Sequence, residues 1–261
     1  MAVDEAILET YDHAADEPPP TLRLYGWSRA ALSLGRTQKA AGAHDPAALA
    51  RLGIELVRRP TGGTAVLHEF ELTYAVLGTF GVPPFTGGVI ATYRRVAGAV
   101  ASGLSRLGVA ATSVAPRGDV SGASGHACFE RTGAWEIEAD GRKLVGAAQA
   151  RRRKAFLQHG SIPTRLDPAR LGDAVGAPVD GSRFTDLERA CRGAVDQAAL
   201  VGALVAGFGD AFGVSLAPGS LTEQESLRAA ELRCWKYDSI AWTVGGSIGA
   251  REARWGPVAR G

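Results

Sequence analysis

Several things are scarce in this sequence, and each shortage excludes a class of function. Only three cysteines occur (Cys128, Cys191, Cys234), with no CxxC pair, which excludes a disulfide framework and a zinc ribbon and leaves reduced thiols as the expectation. Charge of one sign is lacking too. The 29 basic residues nearly cancel 27 acidic ones, and a formal net charge of +2 gives no field to hold a nucleic acid or an acidic membrane. No uninterrupted apolar run reaches the roughly 18 residues of a membrane span. The nearest stretch, from Leu200 to Leu216, is broken by Asp210 and by Gly202, Gly207, Gly209 and Gly213. Residues 1–9 are acidic and helical in pattern, unlike a secretory signal, so a cytoplasmic protein is expected. His13, His44 and His126 have no HxxxH spacing, and neither a metal site nor any other cofactor is expected. A Walker loop, a GxGxxG fingerprint and a GxSxG frame around Ser121 or Ser124 are all missing. Lysine is the rarest cation: four of the 29 basic residues are Lys39, Lys143, Lys154 and Lys236, and the rest are arginine.

The chain has 261 residues, 46% of them apolar, enough for a sizeable core, and its 34 glycines are spread without an internal repeat. A helix is predicted over residues 2–12. Two short strands follow, carrying Leu22 and Leu24, then Leu32 and Leu34. Asp45-Pro46 supplies an N-cap and a first-turn proline for a short helix. Residues 54–58 and 72–77 read as two strands of a hairpin-like unit around the turn Pro60-Thr61-Gly62-Gly63. Val89, Tyr93, Val96, Val100, Leu104 and Leu107 recur every three or four residues, as on a long amphipathic helix.

Residues 116–126 are small, polar and glycine-rich, which predicts a mobile loop leading into Cys128. Asp140-Gly141 is a tight-turn signal between strands at 134–139 and 142–148, and residues 156–161 make one more strand. Helices are predicted near 167–175, 185–191, 195–212 and 222–234. Residues 241–261 are expected to form a disordered basic tail beyond a catalytic domain over 1–240. Strands interleaved with helices argue for a single α+β domain with a mixed, largely antiparallel sheet flanked by helices.

Three features carry candidate chemistry, each beside a plainer reading. The run from Arg58 to His68 joins two arginines to a glycine pair. It is either a simple turn or a loop whose backbone approaches a ligand while the arginines hold a phosphate, carboxylate or pantetheine-linked group. Cys128 follows the loop, and a nearby cation would favour its thiolate, whereas Cys191 and Cys234 read as small packed thiols. The hairpin at 134–148 can bring Lys143 beside Cys128; otherwise Gly141–Gln149 is an edge strand with solvated cations. The run Arg151-Arg152-Arg153-Lys154 is a solvated turn or an attraction for an acidic carrier protein. His159 is a satisfied core histidine or a ligand contact.

Taken in order, these pieces resemble the biotin and lipoate protein ligase superfamily, and within it the LipM-type octanoyltransferases. The resemblance covers roughly residues 1–240. It is carried by Met1-Ala2-Val3-Asp4-Glu5, Leu22-Arg23-Leu24-Tyr25-Gly26-Trp27, the run from Arg58 to His68, Ala127-Cys128-Phe129, the run from Gly141 to Gln149, and Gln158-His159-Gly160-Ser161-Ile162. Thr64 stands where many members have a third glycine, and Glu69 where aspartate is frequent.

The resemblance implies a catalytic-domain fold of that superfamily and transfer of an octanoyl group from octanoyl-acyl carrier protein to a lysine of a lipoyl domain. The acceptor would be the glycine cleavage H protein or an E2 subunit of a 2-oxoacid dehydrogenase. Cys128 would be the thioester nucleophile and Lys143 the cation that lowers its pKa. Arg58, Arg59, Gly62, Gly63, Thr64, Ala65, His68, Gly146, Ala147, Gln149, His159 and Gly160 would bind substrate, with Ala65, Val66, Ala147 and Ala148 leaving room for the acyl chain. A monomer is expected. The alternatives are an ATP-dependent lipoate protein ligase, an amidotransferase between lipoyl domains, and a non-catalytic homologue that binds the carrier or the lipoyl domain. Retention of both Cys128 and Lys143 argues against the last.

Overall fold

The computed structural model describes residues 1–114 and 136–248. Cys128, the glycine-rich stretch before it and residues 249–261 lie outside the described residues. The chain begins with α1 (Ala2–His13) and continues through β1 (Thr21–Tyr25), β2 (Ala31–Leu34), α2 (Pro46–Leu52), β3 (Glu55–Arg58), β4 (Val66–His68), β5 (Glu71–Thr79) and α3 (Val89–Ser105). Then come β6 (Ala111–Val114), β7 (Glu136–Ala139), β8 (Arg142–Arg151) and β9 (Ala155–Pro163). Five helices follow: α4 (Pro168–Val175), α5 (Leu187–Cys191), α6 (Gln197–Phe212), α7 (Glu223–Leu232) and α8 (Ile240–Gly245).

Local signals fix many of these boundaries. Asp45 and Asp167 each accept two backbone N–H bonds ahead of a first-turn proline, and Gly53 and Gly176 close the two helices in the left-handed conformation. Thr222 and Glu225 form a reciprocal capping box at α7. Asp140 and Gly141 turn β7 into β8 with φ of 51° and 71°, the sign both central residues of a type I′ hairpin turn require.

The strands form two sheets. Six make an antiparallel sheet in the order β1-β5-β9-β8-β7-β6. A three-stranded sheet has the order β3-β2-β4, with β3 parallel and β4 antiparallel to β2. The α+β class with mixed, largely antiparallel strands agrees with the expectation, but the hairpin-like unit does not. β3 and β5 belong to different sheets, because β3 finds its partner upstream in β2 through the connection that holds α2.

β5 is buried on both faces. Leu72, Tyr74 and Val76 join α3 and α6 in the main core, while Ala75 and Leu77 meet Ile7, Leu8 and Tyr11 of α1 on the other side. α3 and α6 approach closely at Gly103 and Gly207, where a Cβ on Gly207 would lie 2.3 Å from the Gly103 nitrogen. The three-stranded sheet packs with α2 and α4 in a second core around Leu32, Leu34, Ala65 and Phe184.

Two further differences from the sequence reading stand out. Residues 241–248, expected in a disordered tail, include α8, whose Trp242 is fully buried. β8, read as a candidate edge strand, lies between β7 and β9, and Lys143 on it is buried.

Candidate active site

A narrow pocket opens at the seam between the two sheets. The three-stranded side supplies Val66 and His68 from β4, together with Arg59 just beyond β3. The six-stranded side supplies Tyr25, Thr73, Gly146, Ala147, Ala148, His159, Gly160 and Ser161, and Trp27 covers one wall. Its cavity volume is about 30 Å³, room for a water or two on that measure.

Below the pocket runs a chain of buried polar groups. Arg59 donates to Ser33 Oγ at 3.1 Å, Ser33 Oγ lies 2.7 Å from His68 Nε2, and His68 Nδ1 donates to Glu71 Oε1 at 2.8 Å. Glu71 also accepts the hydroxyls of Thr73 and Ser161 and the indole N–H of Trp27, the last at 3.1 Å. Burial alone would raise the Glu71 carboxyl. The His68 ring and the hydrogen bonds from Ser161 and Thr73 outweigh it and hold the group below the usual carboxylate range. Trp27 stacks on His68 with ring centroids 4.1 Å apart, so the polar chain is roofed by an apolar plate.

His159 sits across the pocket with its Nε2 2.6 Å from Thr61 Oγ1. Burial pushes its pKa down to about 3, against the opposing pull of Asp4 and with help from the Arg59 charge, so the ring is neutral at pH 7. Gly160 lies over Tyr74, where a Cβ would fall 2.5 Å from the ring. The wall there is flat because no side chain fits.

Of the residues expected to bind substrate, Arg59, His68, Gly146, Ala147, His159 and Gly160 meet at this pocket. The others take different roles. Arg58 is buried, with its guanidinium bonded to backbone carbonyls, and is not available to an anion. Ala65 belongs to the second core. Gln149 donates to Gln158 Oε1 at 3.0 Å and does not line the pocket. Gly62 and Thr64 offer their carbonyls to Arg59, which folds the loop of Gly62, Gly63 and Thr64 back on itself, and Gly63 has a φ of 94°.

The sequence reading did not single out Ser33, Glu71 or Thr73, which stand in ordinary strand patterns. Trp27, Thr61 and Ser161 lay within the stretches that carry the family resemblance without being assigned a role.

Lys143 lies on β8 three residues before Gly146. It is ion-paired with Glu136 across the β7–β8 hairpin, where a register shift between Ile137 and Glu138 lets the two meet. Both side chains are about 5% exposed. The proposed neighbour Cys128 lies outside the described residues. Among the described cysteines, Cys191 is half-buried, while Cys234 is exposed rather than packed; neither lines the pocket. The described residues hold no cluster of His, Cys, Asp and Glu suited to a metal, and none of their helices is long and apolar enough to cross a membrane.

The family model of the lipoyl protein ligase A/B catalytic domain matches residues 1–209. The chain belongs to this family. Among curated relatives of the family, it is 40% identical to octanoyltransferase LipM of Kyrpidia tusciae, over 93% of this chain and 92% of that one. It is 39% identical to octanoyltransferase LipM of Symbiobacterium thermophilum, over 94% and 93%. Such relatives put the chain with the LipM-type octanoyltransferases, acyltransferases of lipoate biosynthesis.

Solved structures of the family share the fold. A lipoate-protein ligase A bound with ATP superposes with a TM-score of 0.80 at 27% identity, covering 94% of this chain and 93% of the other. A bi-partite lipoate protein ligase from Thermoplasma acidophilum, described with its E2 lipoyl domain, gives 0.76 at 25% identity, over 94% and 91%.

Proposed function

We propose that this octanoyltransferase carries the acyl group on Cys128. The donor is octanoyl-acyl carrier protein, and the acceptor is a lysine on a lipoyl domain of the glycine cleavage H protein or of an E2 subunit. The observation that carries this reading is Lys143, an ammonium buried with a carboxylate on the strand that goes on to line the pocket. A cation held there favours thiolate over thiol on a neighbouring cysteine and polarises a thioester carbonyl.

In the first step the Cys128 thiolate attacks the octanoyl thioester carbonyl, the bond to the carrier sulfur breaks, and the carrier leaves as its thiol with the proton Cys128 gave up. In the second, the neutral amine of the acceptor lysine attacks the Cys128 thioester. The C–S bond breaks, an amide forms, and the amine proton returns to the Cys128 sulfur. One thioester replaces another and an amide then replaces it, so the sequence runs downhill without ATP. The walls of Gly146, Ala147, Ala148, Val66 and Gly160 give the acyl chain a small-residue lining, and neutral His159 adds no charge to it.

Intact-protein mass spectrometry after incubation with octanoyl-acyl carrier protein and no ATP, followed by peptide mapping, tests this. An octanoyl adduct on Cys128 that added lipoyl domain discharges is the expected result. No adduct, with lipoyl domain modified only when ATP and free acid are supplied, would move the chain to the ligases.

A further inference from the structure

The glycine loop is braced from behind by a part of the chain beyond residues 1–209, the stretch that the family model matches. Arg58 ends β3 and is 1% exposed. Its guanidinium donates to the carbonyls of Gly35, Arg36 and Gln38 in the turn after β2, and to those of Trp242, Thr243 and Val244 in α8. The last carbonyls of a helix lack partners within it, and here an arginine fork supplies them. Trp242 answers by donating its indole N–H to the Arg58 carbonyl at 3.0 Å.

A second anchor lies upstream. Residues Arg233–Tyr237 form a π-helical turn in which Lys236 donates to both oxygens of Glu5 on α1, at 2.8 and 2.9 Å, and the Tyr237 hydroxyl donates to Glu5 at 2.6 Å. Lys236 Nζ also lies 4.0 Å from the centre of the Trp242 ring.

The turn that Arg58 grips touches the glycine loop directly. Arg36 N–H donates to the Thr61 carbonyl at 2.8 Å, and a Cβ on Gly35 would lie 1.9 Å from the Gly63 oxygen. Thr61 in turn holds His159 in the pocket. A continuous line of contacts thus runs from Trp242 through Arg58 and the 35–38 turn to Thr61 and His159.

We propose that residues 233–246 are a positioning strap for the transferase, with Arg58 and Trp242 as positioning residues that set the glycine loop and His159 for the acyl donor. This rests on reading the seam pocket as the acyl site.

Two full-length variants test it. Arg58→Lys keeps the charge but loses the planar fork, and Trp242→Phe keeps the ring but loses the indole N–H. Three readouts are taken: KM and kcat for octanoyl-acyl carrier protein, hydrogen exchange of the peptide spanning 59–66, and formation of the Cys128 adduct in the unsubstituted protein. Arg58→Lys is expected to raise KM about tenfold with kcat within about twofold, a loss of binding geometry rather than of chemistry. Exchange at 59–66 should quicken while the β5 and β9 peptides stay protected. Trp242→Phe should move both readouts the same way by less, and decides the matter if Arg58→Lys does not fold.

Unchanged KM in a folded variant overturns the proposal, and so does a joint fall of kcat and kcat/KM with no local exchange change. If the unsubstituted protein forms no adduct, the acyl reading has failed. The strap is then judged on exchange alone, and unaltered exchange at 59–66 overturns it.

Discussion

Thr61 Oγ1 and His159 Nε2 lie 2.6 Å apart and join the glycine loop of the small sheet to β9 of the large one. The pair is a buried polar bond between two independently built sheets. A buried imidazole kept neutral is also a liability in acid. Burial lowers the His159 pKa from 6.5 to about 3, so between those values the unfolded chain binds a proton that the folded one refuses. Its stabilisation is complete above about pH 6.5 and drains away as pH falls toward 3. His159→Asn should therefore flatten the acid limb of a stability-against-pH curve measured by urea unfolding. An unchanged slope between those limits would show that His159 is not the titrating group.

Lys143 and Glu136 give a prediction in two parts. On the proposed role of Lys143, Lys143→Met should shift the alkylation profile of Cys128 to higher pH by removing a cation that favours the thiolate. It should also destabilise the fold, because Glu136 stays buried without this ion pair, a kind of loss that runs to about 3–5 kcal/mol. Adding Glu136→Gln should recover much of the stability and, by removing a buried anion, part of the alkylation shift. A double variant as unstable as the single one would mean that the pair is not coupled.

Close backbone approaches separate glycines that matter from those that do not. Gly35→Ala would drive a Cβ into the Gly63 carbonyl, which is backbone and has nowhere to yield, whereas nothing lies within 4 Å of a Cβ at Gly26. Thermal unfolding should show Gly35→Ala less stable by about 1–3 kcal/mol and Gly26→Ala little changed. Equal melting temperatures for the two would contradict the packing described.

Pocket width can be tested from its small wall. Ala147→Leu adds three carbons to a residue lining the seam. The substitution should raise KM for octanoyl-acyl carrier protein more than for a shorter acyl donor. Equal changes for both chain lengths would place the acyl chain elsewhere.

Features written in adjacent residues were legible before the structure. The Asp-Pro start of α2 and the Asp140-Gly141 turn act within a few residues, and the structure has them where the pattern put them. The partner of β3 was not legible. Two strands of suitable spacing looked like a hairpin, while the actual pairing is parallel to β2 and is decided by the shared core with α2 and α4. α8 escaped for a similar reason. Its six residues have little helical signal, and what orders them is Arg58, 184 positions away in the chain.

At the site, the residue types were mostly readable and their roles less so. Scarcity drew the eye to Lys143, which is buried beside Glu136. The same scarcity gave no hint that Lys236 would be buried on Glu5. Two adjacent arginines looked alike, yet Arg59 faces the pocket and Arg58 faces away, because successive side chains leave an extended backbone on opposite sides. Glu71 and Ser33 carried no motif at all. They matter because the strands place them under His68.

The seam itself has a mechanical meaning. The two sheets flanking the pocket share no ladder among the described residues, so separating its walls breaks no rung of either one. What resists is side-chain contact and bonds such as that between Thr61 and His159. The site can open as a book opens, each page stiff and the binding yielding, with the buried bonds from Thr61 to His159 and from His68 to Glu71 setting the cost.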